Sequence, residues 1–393
     1  MEAIARRISL RHGCPRRYHL GLLWETRPRS MGSKNRQTTT FKQFSTGESM
    51  KILRCLICFI AVLLNQQLFG VGYLDLEHYT SDFIIQTKQI HIPHYPYAFN
   101  PSIIRWKGKL LMSFRIIPGN KKSFNSEIGL IWLDDQFNPT GEAQLLAFRD
   151  SDSLVPSRAE DGRLVEVGSK LFLVYSDCPD QKVSKAGFRI HVAELDYNGK
   201  TFSILHKTKL TQYEGQSDQL REKNWVPFNY QNTLLLSYSI DPHLVFHPKL
   251  WSHVCNTVSY SDQKSYWGWG DLRGGTPALL IDGQYLAFFH SSIELATVQS
   301  GGQSMLHYFM GAYAFNSYPP FTVSRASVTP IIAPEFYSGT QYEHYWKPVQ
   351  AIFPCGFLVN NDTIWVAYGR QDHEVWVVQL DKRGLMRSLA PTY

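Results

Sequence analysis

A short apolar run closed by an aromatic residue recurs five times along the chain: Lys109-Leu-Leu-Met-Ser-Phe114, Lys170-Leu-Phe-Leu-Val-Tyr175, Thr233-Leu-Leu-Leu-Ser-Tyr238, Gln284-Tyr-Leu-Ala-Phe-Phe289 and Thr363-Ile-Trp-Val-Ala-Tyr368. The intervals between first positions are 61, 63, 51 and 79 residues, about the length of a four-stranded propeller blade with generous loops. A second regularity fixes the frame. Fifteen residues before the position that follows each closing aromatic stand Asn100, Asp161, Asn224, Gly275 and Pro354. Each lies in a polar or turn-forming cluster, followed by a first apolar run, a turn such as Lys107-Gly108-Lys109 or Asn360-Asn361-Asp362, and the second run. That is a β-hairpin pattern.

The repeats predict an all-β fold, a five-bladed β-propeller with a central funnel-shaped active site, over residues 72–393. In such a fold the innermost strands start at the funnel, so polar clusters distant in sequence become neighbours. A β-sandwich with evenly spaced strands is the competing architecture. The repeats run from about residue 90 to about 380 and leave no room for a second core. Aromatics at 14% against charged residues at 19% suit β-structure, and suit sugars, whose apolar faces stack on aromatic rings.

Two bulk numbers change meaning on inspection. The formal charge of +7 comes from the N-terminus, where residues 1–54 hold 12 Lys and Arg against 3 Glu; the remainder is close to neutral. A nucleic-acid partner is therefore not expected. Residues 1–49 read as a disordered or spurious basic leader. Met50-Lys-Ile-Leu-Arg followed by the ten apolar residues Cys55–Leu64 reads as a signal peptide over 50–71, so export to a periplasmic or secreted location is expected; the alternative is a membrane anchor over 52–74. Of the six cysteines, Cys14, Cys55 and Cys58 fall in this leader. The remaining Cys178, Cys255 and Cys355 are too few and odd in number for a disulfide framework. No phosphate-binding glycine loop, dinucleotide fingerprint, nucleophile elbow or metal cluster stands at recognisable spacing, so neither cofactor nor metal is expected.

The segment Ser157-Arg-Ala-Glu-Asp-Gly-Arg163 carries the strongest chemistry. A carboxylate at a funnel mouth is a proton donor if burial and Glu160 hold its proton while Arg158 and Arg163 orient substrate oxygens. An acid role requires at least one of these arginines to point at the ligand, because two guanidinium groups on the carboxylate would lower its pKa. The competing reading is an ordinary turn with a salt bridge. Trp267-Gly-Trp269-Gly is equally an aromatic wall for outer sugars or a packed blade edge, and His307, Tyr308, His344, Tyr345 and Trp346 are candidates for the cleft rim.

Ser-Arg-Ala-Glu-Asp-Gly-Arg resembles the Ala-Arg-Val-Glu-Asp-Pro-Arg signature of glycoside hydrolase family 130, five-bladed propellers that cleave β-mannosides by phosphorolysis or hydrolysis. Phe99-Asn-Pro-Ser102 with Ser113-Phe-Arg115, Glu222-Lys-Asn-Trp-Val-Pro-Phe228, and Ile352-Phe-Pro-Cys-Gly356 with Tyr368-Gly-Arg-Gln-Asp372 resemble other family segments in the family's order. The resemblance implies inverting attack at the anomeric carbon of a mannoside-like unit in an oligosaccharide or glycan. It implies Asp161 as general acid and Asn100, Ser102, Arg115, Asn224 and Asp372 as sugar-binding residues. Lys223, Arg273 and His290 are expected on the side of inorganic phosphate as co-substrate, or Glu222 as the base for a water nucleophile. Gly162 in place of proline is expected to loosen the backbone after the acid. Transfer from an activated sugar donor, and a carbohydrate-binding propeller without turnover, are the alternatives.

Overall fold

The computed structural model describes residues 72–118, 125–148, 157–178, 187–217, 221–342 and 348–393. The expected basic leader and signal peptide, together with His344, Tyr345 and Trp346, lie outside the described residues. Among the described residues no helix is long and apolar enough to cross a membrane.

The fold is an all-β propeller. Four sheets are regular four-stranded antiparallel blades whose first strands, in chain order, are Phe99–Trp106, Glu160–Val167, Val226–Tyr230 and Ile352–Asn360. The unit between the third and last of these departs from the expected blade. It is a seven-stranded sheet built on two 13-residue strands, Gln284–Ala296 and Ser304–Asn316, paired over their full length. Strands this long outrun the blade and recruit short partners, including Arg273–Gly274 and Val349–Gln350, while Ala390–Pro391 pairs with Val323–Ala326 at the sheet's edge. The ring closes between the chain's two ends: Ile84–Ile90 is the outermost strand of the last blade and pairs with Glu374–Asp381.

Hydrophobic layers lie between neighbouring sheets. Trp106 and Leu111 of the first blade share one cluster with Leu164, Leu171 and Leu173 of the second. Val226 and Phe228 of the third share another with Tyr285, Phe289 and Phe315 of the seven-stranded sheet. Each such side chain contributes about 1.5–3 kcal/mol on burial, so the ring is held by the side-to-side contact of its sheets as well as by hydrogen bonding within them. Cys178, Cys255 and Cys355 are free and buried.

Candidate active site

Asn100 and Asp161 hold equivalent places in adjacent blades, and both sit in a bulge. The register between Phe99–Trp106 and its partner slips between Phe99 and Ser102, and that of Glu160–Val167 slips between Glu160 and Arg163. Both residues adopt left-handed backbone, with φ of 49° and 55°, and Asn224 ahead of the third blade does the same at 66°. Asn and Asp are the non-glycine types that tolerate this region best, and a bulge re-aims the side chain it carries. Asp372 arrives differently, in a tight turn where Gln371 and Asp372 both have φ of 51° and the His373 amide donates to the Arg370 carbonyl.

Asn100, Arg115, Asp161, Lys223, Asn224, Arg273, His290 and Asp372 line one cavity of about 580 Å³ at the strand starts. A larger cavity of about 950 Å³ lies among the later residues of the same innermost strands, such as Ile103, Leu164 and Phe357, and has mostly apolar walls. Volume favours the second and chemistry the first.

Asp161 is buried, and two donors converge on one of its oxygens: Oδ1 accepts from Asn100 Nδ2 at 2.8 Å and from Arg115 at 3.2 Å. Oδ2 has no hydrogen-bond partner among the described residues and is left to the cavity. Arg115 is fully engaged, binding Glu160 Oε1 at 3.0 Å and donating from Nε to Ser126 Oγ at 2.7 Å. The other Glu160 oxygen takes Lys223. One guanidinium therefore neutralises two adjacent carboxylates.

Asp372 is half-buried and its carboxylate forms no hydrogen bond or ion pair with the described residues. Burial raises its pKa to about 6, with Asp161 adding to the rise and Arg115 and Lys223 opposing it. Burial and the nearby Arg115 charge press the Lys223 ammonium's pKa down, against the pull of Asp372. His290 is buried between Phe353 and Tyr308, with ring centroids at 4.4 and 5.9 Å. Burial, with Arg163 and Arg273 nearby, pushes its pKa well down and keeps the imidazole neutral.

Three expectations are corrected. Ser102 and Arg163 each stand two residues past a bulged position, where simple alternation points them at the funnel; the extra residue of the bulge reverses the alternation. Ser102 instead accepts the Leu164 amide at 3.1 Å. Arg163 is a strut across the axis, donating to the Gly275 carbonyl, to the Asp161 carbonyl at 3.0 Å and to Asn224 Oδ1 at 3.1 Å. Arg158 turns to the end of the neighbouring strand, its amide on Asp177 Oδ1 and its guanidinium on the Cys178 carbonyl. Glu222 lines the cavity but is nearly enclosed, its carboxylate accepting from Trp225 Nε1 at 3.1 Å.

Gly162 is held rather than loosened, since its carbonyl accepts from Ser113 at 2.7 Å and an added Cβ would meet Leu173 and Ile128. Trp267 and Trp269 pack edge-on against Phe289 and Phe309 of the seven-stranded sheet, at 4.8 and 5.0 Å, so the blade-edge reading holds. His307 is buried on Thr297, while Tyr308 does line the cavity.

The sequence reading missed Arg221, which also lines the cavity and lies 4.4 Å over Phe188, where Lys223 approaches the same ring at 4.3 Å. Its signal was adjacency to Glu222-Lys223. Among the described residues neither Arg221 nor Arg273 has a carboxylate partner, so the wall formed by the third blade and the seven-stranded sheet presents two guanidinium groups to the cavity. No group of three or more His, Cys, Asp or Glu able to hold a metal occurs among the described residues.

Residues 76–390 match the glycoside hydrolase family 130 model, described as beta-1,4-mannooligosaccharide phosphorylase. No curated protein matches the chain. Among solved structures, the chain is similar to a glycosyl hydrolase from Bacteroides ovatus (TM-score 0.53, 13% identity, 79% of this chain and 94% of that one). It is also similar to a β-1,2-mannobiose phosphorylase from Listeria innocua in complex with β-1,2-mannobiose (0.50, 14%, 77% and 92%). A third is a mannose phosphorylase from Leishmania mexicana in complex with phosphate ion (0.51, 9%, 80% and 93%). At such identities the structural likenesses show the fold alone; the family match spans most of the chain. The chain belongs to glycoside hydrolase family 130, whose members are glycoside phosphorylases and hydrolases.

Proposed function

We propose that this protein cleaves β-mannosides in oligosaccharides by inverting phosphorolysis, with Asp161 as general acid, in a funnel that the seven-stranded sheet closes as the fifth blade. The observation that carries the reading is the asymmetry of Asp161. With Oδ1 taken by Asn100 and Arg115, the transferable proton belongs on Oδ2, the oxygen left to the cavity. That proton passes to the glycosidic oxygen, directly or through a sugar hydroxyl, as the bond to the anomeric carbon breaks and its electron pair stays with the leaving sugar. A phosphate oxygen attacks the opposite face of the anomeric carbon, giving mannose 1-phosphate of inverted configuration and a chain shorter by one unit.

Arg221 and Arg273 supply cationic charge at the cavity for the dianion, with Lys223 beside them held by Glu160. Asn224 and Asp372 are the groups that meet sugar hydroxyls.

The test is product analysis on β-manno-oligosaccharides with and without inorganic phosphate. Phosphate-dependent mannose 1-phosphate is expected, and Asp161→Asn lowers kcat by about 10²–10⁴-fold, the range of a lost general acid, while the oligosaccharide still binds. Free mannose at an equal rate without phosphate overturns phosphorolysis in favour of hydrolysis. Full turnover by Asp161→Asn overturns the assignment of the acid.

A further inference from the structure

Asp372 sits in a turn that its own residues do not favour. Gln371 and Asp372 are consecutive left-handed residues, each with φ of 51°. Glutamine tolerates that region poorly, and such backbone persists only where the surroundings hold it. The polar groups of Gln371 are all engaged. Its amide donates to the Ala351 carbonyl at 2.8 Å, and its carbonyl lies 2.7 Å from His373 Nδ1. Its side chain is fully buried; Oε1 accepts from the Tyr342 amide at 3.2 Å, and Nε2 donates to Gln350 Oε1 at 3.2 Å.

Gln350 is the anchored end of this chain of amides. It lies on the two-residue strand Val349–Gln350, which pairs in parallel with Leu306 and His307 of the seven-stranded sheet. Its side chain is also fully buried, and Nε2 donates to Gln341 Oε1 at 2.9 Å and to the Gln299 carbonyl at 3.2 Å. Gln299 belongs to the tip that joins the two 13-residue strands, and its own side chain is held by the entering segment: Oε1 accepts from the Leu76 amide at 3.1 Å, and Nε2 donates to Asp75 Oδ1 at 2.7 Å.

A buried primary amide costs free energy unless it is bonded, and an apolar side chain would fill the same space. Here two stand in series, each immediately before a cavity-lining residue, Ala351 and Asp372. A fully bonded buried network fixes a geometry that packing alone leaves loose. We propose that Gln350 is a positioning residue for Asp372, holding through Gln371 the strained turn that aims this carboxylate into the cavity. The inference rests on the reading of Asp372 as a group that meets sugar hydroxyls.

The test is a double-mutant cycle on the full-length protein, with Gln350→Met made in the native sequence and in Asp372→Asn. Phosphorolysis of β-manno-oligosaccharides is read as kcat and KM, and hydrogen–deuterium exchange is followed over residues 369–373 and 99–102. In the native background Gln350→Met is expected to lower kcat/KM about five- to tenfold, the scale of one hydrogen bond, chiefly through KM. In Asp372→Asn the same change is expected to cost less than about twofold, because the group it positions is already gone. Exchange should quicken over 369–373 and stay unchanged over 99–102. An equal loss in both backgrounds, or unaltered exchange over 369–373, overturns the proposal. Should Gln350→Met fail to fold, Gln341→Ala, at an exposed position, removes one acceptor of Gln350 and is expected to give the same pattern at about two- to threefold. If the native protein turns over no mannoside, the mannoside reading falls, and the exchange of 369–373 against 99–102 decides the positioning role by itself.

Discussion

At the scale of single residues, the site is organised by how few charges are left free. Arg115 is consumed by Glu160 and Asp161, and Lys223 by Glu160; Asp372 alone of the cavity-side carboxylates has no donor among the described residues. Its pKa of about 6 against an ordinary 3.8 has two consequences of opposite sense. The folded chain binds a proton that the unfolded chain has released, so between about pH 4 and 6 the native state carries more protons. This group's contribution to stability is thus complete below about 4 and is lost as pH rises through 6. Activity runs the other way if the ionised form accepts sugar hydroxyls: kcat/KM gains an acid limb near pH 6. In Asp372→Asn that limb disappears, the value on the neutral side drops about 10- to 100-fold for a lost charge-assisted hydrogen bond, and thermal stability at pH 7 rises or holds. A limb unchanged in Asp372→Asn assigns it to another group.

At the scale of elements, the bulge decides which side chains reach the funnel. The fifteen-residue spacing made Asn100, Asp161 and Asn224 legible as equivalent positions, because turn-forming polar residues ahead of an apolar run mark a strand start. The family resemblance then singled out Asp161, Arg115 and Asp372, all of which line the cavity. Ser102 comes from the family resemblance and Arg163 from its place beside Asp161; both follow a register slip that no residue type announces, and there their side chains turn to neighbouring backbone. Glu222 does line the cavity, with its carboxylate tied to Trp225, three residues on. The seven-stranded sheet was hidden since the motif ending at Phe289 covers less than half of a 13-residue strand. The reassignment of Arg163 makes a prediction of its own. Arg163→Met leaves the Gly275 and Asp161 carbonyls and Asn224 Oδ1 without their buried donor, costing about 3 kcal/mol or more at 1–3 kcal/mol per orphaned acceptor. Denaturant unfolding should show this loss. A ligand-orienting arginine would show the reverse: normal stability with a raised KM.

At the scale of the whole molecule, the funnel exists only while the ring is shut, and the closing strand stands next to the chemistry. Ile84–Ile90 pairs with Glu374–Asp381, and that strand starts two residues after Asp372. The adjoining segment buries Phe83, Ile90 and Ile92 against the last blade and its neighbours. At about 1.5–3 kcal/mol per buried large apolar side chain, these three account for roughly 5–9 kcal/mol, comparable to the whole stability of an ordinary domain. A chain beginning at residue 93 would lose this burial and present Glu374–Asp381 as an open edge, a template for pairing with other copies. It would also free the turn that holds Asp372 opposite Asp161. Such a chain is expected to aggregate, or to melt far below the full-length protein, and to lose oligosaccharide turnover. Adding a peptide of residues 72–92 in trans should restore part of both, because the missing strand needs only its edge to dock. A truncated chain that stays monomeric, melts within a few degrees of the intact protein and keeps its kcat/KM would show that the ring is held by sheet-to-sheet packing alone.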